Sequence, residues 1–224
     1  MQELYKNSTI LDIYNEPFLR LKMKKKDLFK HKSKHWDAKS KRVKGAQAIA
    51  NTILNNINLS KEMHIMDFGA GTGLLSYCLS HKVAEVTALD NSPSMLEVFQ
   101  EKSEQFSCPT HVLMLDLAHD NVPDVQYHGI VSSMTIHHIE DLKDMFSKMY
   151  ALLLEDGFIA LADLDKEDGS FHSDNEGVFH FGFERDYLES LAKEIGFKDI
   201  AFCTANVIDK PQASYGVFLM TAKK

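Results

Sequence analysis

The chain has 224 residues, 44% of them hydrophobic and 25% charged, with a formal net charge of −7 at pH 7. That length can bury a sizeable core, the acid excess argues against tracking of a nucleic-acid backbone, and no apolar run reaches the roughly 18 residues of a membrane span. Three cysteines, Cys78, Cys108 and Cys203, are odd in number and far apart, which excludes a disulfide scaffold and points to reduced core residues of a cytoplasmic protein.

Residues 1–45 differ from the rest, with thirteen Lys or Arg against five acids. Arg20, Lys22, Lys24, Lys25 and Lys26 are interleaved with Phe18, Leu21, Leu28 and Phe29. This pattern is expected to give a solvated basic face whose apolar side docks on the domain. A cap over a ligand site, or peripheral contact with an anionic surface, are the other readings. The N-terminus lacks the apolar stretch of a signal peptide. Residues 1–35 are read as an arm or cap, and 36–224 as one domain.

Met66, Asp67 and Phe68 end an apolar, strand-like run, and Gly69, Ala70, Gly71, Thr72 and Gly73 follow. Glycines without Cβ let a ligand lie against the backbone, and Leu74, Leu75, Cys78 and Leu79 then form one apolar helix face. A dinucleotide fingerprint would need a small residue at 74, where Leu74 stands, and would not place the acid Asp67 beside a pyrophosphate. Both residues count against an NAD-dependent oxidoreductase. The acid-x-G-x-G-x-G run resembles the first motif of class I S-adenosylmethionine-dependent methyltransferases, specifically the small-molecule type of quinone biosynthesis. Their methyl donor carries a sulfonium and an ammonium.

The next elements extend the resemblance. Residues 83–89 read as a second strand ending at Asp90, and Ser92 and Pro93 start a helix containing Leu96 and Phe99. An acid about 20 residues beyond the glycines is where a ribose is held. Residues 111–115 read as a third strand ending at Asp116 and Leu117. Residues 127–134 read as a fourth, leading into Thr135, Ile136, His137, His138 and Ile139. Four strand ends bearing Asp67, Asp90, Asp116 and Ser132 to His137 match ligand binding at the carboxyl edge of an open α/β sheet.

A helical period through Leu142, Met145, Phe146, Met149 and Leu153 is expected to stop at Glu155, Asp156 and Gly157. A fifth strand follows at 158–162, a helix at 186–195 closed by Gly196, and strands at 197–204 and 214–222. Alternation of this kind predicts a largely parallel sheet. The resemblance, spanning about residues 36–222, implies a Rossmann-like seven-stranded sheet in the order 3-2-1-4-5-7-6, last strand antiparallel, with helices on both faces.

What the resemblance implies for the site is specific. Asp67 would orient the ammonium of the methionine end; Gly69, Ala70, Gly71 and Gly73 would permit close approach; Asp90 would bind the ribose hydroxyls, flanked by Asn91 and Met95. Asp116 and Leu117 would meet the adenine, Ser132 would face the cofactor, and Trp36 with Asp37 would help cover it. S-adenosylhomocysteine would be the product.

The acceptor is less defined. Methyl transfer from a sulfonium is an in-line displacement that needs mainly positioning, and His137 is the general-base candidate because imidazole titrates near neutrality. The alternative is that His137 only shapes the pocket. An insertion over about 163–183 carries Asp163, Asp165, Phe171, His172, Phe179, His180, Phe181 and Phe183; with His138, the residues His172, His180 and Phe183 are the candidate acceptor contacts. No metal is expected, because adjacent histidines in an extended loop point to different sides and no ligand spacing recurs. Asp163 and Asp165 lack the Asn partner of a magnesium site.

No Asn/Asp-Pro-Pro-aromatic run follows the fourth strand, and the only Cys-Pro pair, Cys108 and Pro109, reverses the Pro-Cys of pyrimidine enzymes. The expected partner is therefore a small-molecule methyl acceptor. A non-catalytic cofactor-binding or adaptor protein is the alternative. Oligomeric state is left open.

Overall fold

The computed structural model describes residues 27–38, 40–117 and 119–224. The basic run at 20–26, with Phe18 and Leu21, lies outside the described residues.

Each strand forms where apolar and β-branched residues cluster. β1 (His64–Phe68) is buried along its whole length. It is flanked by β2 (Glu85–Asp90) and, on its other side, by β4 (Tyr127–Ser133); β3 (Thr110–Met114) lies outside β2. β5 (Leu153–Leu164) pairs with β4, and β7 (Ser214–Lys223) runs antiparallel to both β5 and β6 (Lys198–Asp209). The order is 3-2-1-4-5-7-6, as the resemblance implies. Register brings the carboxyl ends level: Phe68 sits opposite both Leu89 and Ser132, and Ser133 opposite Ala162.

The period-2 alternation of the strands divides the core between two faces. Met66, Phe68, Ile130, Ile159 and Leu161 pack under α4 (Leu142–Leu152) and α5 (Arg185–Ile195). Ile65, Val86, Val131 and Ala160 pack on the other face under α1 (Ser40–Asn56) and α2 (Leu74–Leu79). Ala88 meets Leu96 and Phe99 of α3 (Pro93–Glu101), with Phe106 stacked on Phe99 at 4.9 Å. Gly196 closes α5 in a left-handed conformation, φ 116°, where L side chains are strained.

Two features depart from expectation. The α4 helix ends at Leu152, and Glu155, Asp156 and Gly157 belong to β5, which bulges between the pairs Tyr127/Leu153 and Gly129/Phe158. Asp156 takes φ 62° there, so the residues that read as a helix stop instead turn a strand. The three cysteines sit half-buried beside the α1 face rather than within the core, and all are unpaired. No helix among the described residues is long and apolar enough to cross a membrane.

Candidate active site

The loop after β1 folds back over the end of β2, where Gly69 N and Ala70 N donate to Leu89 O at 2.8 and 3.1 Å. Gly69 has φ 68°, and a Cβ there would fall 2.1 Å from Thr135. Gly71 has φ 55° with nothing within 4 Å of a Cβ position, so open space lies over its backbone. Gly73, also at positive φ, caps α2.

Three carboxylates stand at this edge of the sheet, Asp67 and Asp90 against the loop and its helix and Asp116 beyond β3. Asp67, 1% exposed, accepts at Oδ2 from Ser76 Oγ (2.6 Å) and Ser76 N (3.2 Å). Burial pushes its carboxyl up to about 7, against the lowering effect of Ser76 and with Asp90 raising it further. Asp90 accepts from Gly71 N at Oδ2 and Ser92 N at Oδ1, each at 2.8 Å, and burial raises its pKa despite those bonds. Asp116 is buried at the end of β3, and its amide donates to Asp120.

The other donor-side candidates take varied positions. Asn91 is exposed beside Asp90, and Met95 is buried, its amide donating to the Ser92 hydroxyl that caps α3. Ala70 and Leu117 are buried. Ser132 Oγ donates to Phe68 O at 2.7 Å, stitching β4 to the end of β1.

Residues 27–38 cross this edge as a strap. Asp27 accepts from Ser92 Oγ (2.9 Å) and Ser94 N (3.2 Å), and Asp37 accepts from Thr72 Oγ1 (2.6 Å) and pairs with Lys102. Trp36 is half-buried, with the Arg42 guanidinium 3.5 Å over its ring and Phe29 edge-on at 5.7 Å. Phe29 also reaches His138, at 6.0 Å between centroids.

β4 leads to a second group of residues. Met134 takes a left-handed φ of 58°, and Ile136–His138 then form a 3-10 turn. His137 is 1% exposed; its Nδ1 lies 2.7 Å from Asp163 Oδ1, and its amide donates to Asp163 Oδ2. Asp163 Oδ1 also accepts from Leu164 N. The expectation that His137 and His138 diverge fails, because the turn is 3-10 rather than extended: their rings lie 4.2 Å apart, with His172 at 5.0 Å from His137 and 6.1 Å from His138. The Nε2 atoms of His137 and His172 are buried without a hydrogen-bond partner.

Burial and the neighbouring imidazoles lower the pKa of both His138 and His172 to about 4. Among the described residues no group of three or more His, Cys, Asp or Glu could hold a metal ion. His180 joins the cluster through its backbone, its amide donating to His137 O at 3.2 Å, and its ring lies 5.2 Å from Phe183. His180 Nε2 lies 2.8 Å from Ile139 O, and Phe183 is packed in the core under α5.

Sequence reasoning missed Asp163 as the partner of His137, together with Ser76 and Asp27, and it gave Asp37 beside Trp36 without its partners Thr72 and Lys102. The signal for Asp163 was its place at the end of the strand beside β4, on the same carboxyl edge. The donor set nonetheless fits S-adenosylmethionine. Asp90 spends one lone pair per oxygen on backbone amides and keeps others for hydroxyls, beside the space over Gly71.

Residues 65–157 match the family described as "Methyltransferase domain". The chain is 32% identical over 182 residues to an uncharacterized methyltransferase of Schizosaccharomyces pombe, covering 74% of this chain and 62% of that protein. It therefore spans under two thirds of that relative's length. A phosphoethanolamine N-methyltransferase 2 of Haemonchus contortus, solved with S-adenosyl-L-methionine, superposes with TM-score 0.63 at 16% identity, covering 86% of this chain and 59% of that one. The [4+2]-cyclase SpnF superposes with TM-score 0.65 at 11% identity, covering 80% of each chain. These likenesses show the fold, and a fold alone does not choose a reaction.

Proposed function

Because the chain carries a class I S-adenosylmethionine-dependent methyltransferase domain, we propose that the protein transfers a methyl group from S-adenosylmethionine to a small-molecule acceptor. The observation that carries this reading is the convergence of Asp67, Asp90, Asp116 and His137 on one sheet edge, with open space over Gly71.

S-adenosylmethionine supplies an electrophilic methyl on a sulfonium. Asp90 takes the ribose hydroxyls, Asp116 with Leu117 the adenine, and the Asp67 end of the loop the methionine portion. Gly69, Ala70, Gly71 and Gly73 allow the approach; Asn91, Met95, Ser132 and Trp36 border the same edge. His137 accepts the acceptor's proton, and His138 and His172 line the acceptor side, with His180 and Phe183 supporting the insertion around it. The displacement is metal-independent in this reading. The working division is a domain over 36–224 and a basic arm before it, and the three unpaired cysteines support a cytoplasmic setting.

Calorimetry with S-adenosylmethionine and a chromatographic assay for S-adenosylhomocysteine over an acceptor panel, with and without EDTA, test the reading. Donor binding with EDTA-insensitive product formation supports it. Absence of donor binding overturns it.

A further inference from the structure

The geometry points to an acceptor subsite built on the two unpartnered Nε2 atoms of His137 and His172, shaped for a neutral aromatic or enolic hydroxyl, so that the methylated atom is oxygen. This rests on the methyl-transfer reading and names the substrate class of that same site.

The argument begins at Asp163. Its carboxylate lies 2.7 Å from His137 Nδ1 and also receives the His137 and Leu164 amides. A carboxylate accepting at that distance fixes a proton on Nδ1, so in the neutral ring Nε2 is the lone pair. Asp163 is thus a positioning residue. His137 is 1% exposed, its Nε2 is buried and has no partner, and a buried unsatisfied polar atom is costly unless something pairs with it. His172 Nε2 stands in the same condition one ring away, at 5.0 Å between centroids.

A hydroxyl answers both nitrogens. Its proton donates to His137 Nε2, and its oxygen accepts from His172 in the Nε2–H tautomer. An ammonium fits poorly, because its nitrogen has no lone pair to accept from His172 or to attack the methyl. A carboxylate would face the His137 lone pair without a proton to share. Phe171 stands edge-on to His172 at 4.8 Å and Phe29 edge-on to His138 at 6.0 Å, which suits a planar guest. In the step, the acceptor oxygen forms the new O–C bond as the S–C bond of the sulfonium breaks. The hydroxyl proton passes to His137 Nε2, and the sulfonium's bonding pair leaves with the thioether.

The test uses the full chain with histidine ring 15N labelling. Phenol, benzylamine and benzoate are compared at equal concentration in the presence of S-adenosylhomocysteine for ring shifts, and with S-adenosylmethionine for product formation. The expected result is an unprotonated Nε2 on His137, shifts of His137 and His172 with phenol only, and anisole as the product. Asp163→Asn should move the proton to Nε2 and lower phenol turnover at least about 100-fold, with donor affinity by calorimetry unchanged. His172→Phe should abolish the phenol shifts while keeping donor affinity. A protonated Nε2 in the wild type, preference for benzylamine or benzoate, or no response to any of the three overturns the inference. Loss of donor binding by the wild type instead overturns the methyl-transfer reading beneath it.

Discussion

The glycine-loop edge and the histidine cluster are built by opposite means. Around the glycine loop, backbone amides do the work and the titratable groups are carboxyls whose pKa burial raises, Asp67 to about 7 and Asp90 in the same direction. Around His137, side chains from β4, β5 and the insertion do the work, and the titratable groups are imidazoles that burial lowers to about 4. In both regions burial favours the uncharged form, and the shifts run in opposite directions because one region holds acids and the other bases. A single chain keeps the two environments within one sheet because their residues leave the sheet on successive strands.

The strongest way to break this contrast is at Asp90. Asp90→Ala should reduce S-adenosylmethionine affinity about 100-fold, the scale expected when a bidentate charged acceptor of hydrogen bonds is lost. Unchanged affinity by calorimetry would remove Asp90 from the donor edge. Gly69→Ala comes next. Its Cβ would meet Thr135 at 2.1 Å at a φ of 68°, so urea denaturation should show about 2–3 kcal/mol of lost stability.

The pH dependence sharpens the comparison, because the two regions carry opposite signs. Below the ordinary imidazole value near 6.5, the unfolded chain takes protons that folded His138 and His172 refuse; their contribution is lost as pH falls from about 6.5 toward 4. Folded Asp67 retains a proton that the unfolded chain sheds between about 4 and 7, so its contribution fades as pH rises through that window. Asp67→Asn should therefore steepen the acid loss of stability relative to wild type, and His172→Gln should flatten it, as read by urea midpoints from pH 4 to 7. Identical slopes for all three proteins would dissolve the contrast. The smallest effect is expected at Asp37. The Asp37–Lys102 pair is partly exposed, and Lys102→Gln should cost under about 1 kcal/mol.

The carboxylates of the sheet edge were legible in the sequence because each stands at or just beyond a strand end: Asp67, Asp90 and Asp116 can be found by reading where apolar runs end. The sheet order came with the resemblance. The histidine cluster was only half legible. His137 and His172 are 35 positions apart, and nothing local marks Asp163 as the partner of one of them rather than the first residue of an insertion. Helix α1 was missed although Ala46, Ile49, Ala50 and Ile53 keep a helical spacing, since Ser40, Lys41, Arg42 and Lys44 give its start the look of a continuing basic arm. The bulge at Asp156 misled for a related reason: Glu-Asp-Gly punctuates helices and irregular strands alike, and only the pairing with β4 tells them apart.

The strap at 27–38 touches both regions, through Asp27 and Asp37 on one side and Phe29 on the other. A segment shared in this way joins the two regions physically, and any factor by which a ligand on one side changes the affinity for a ligand on the other is, by reciprocity, the same in both directions.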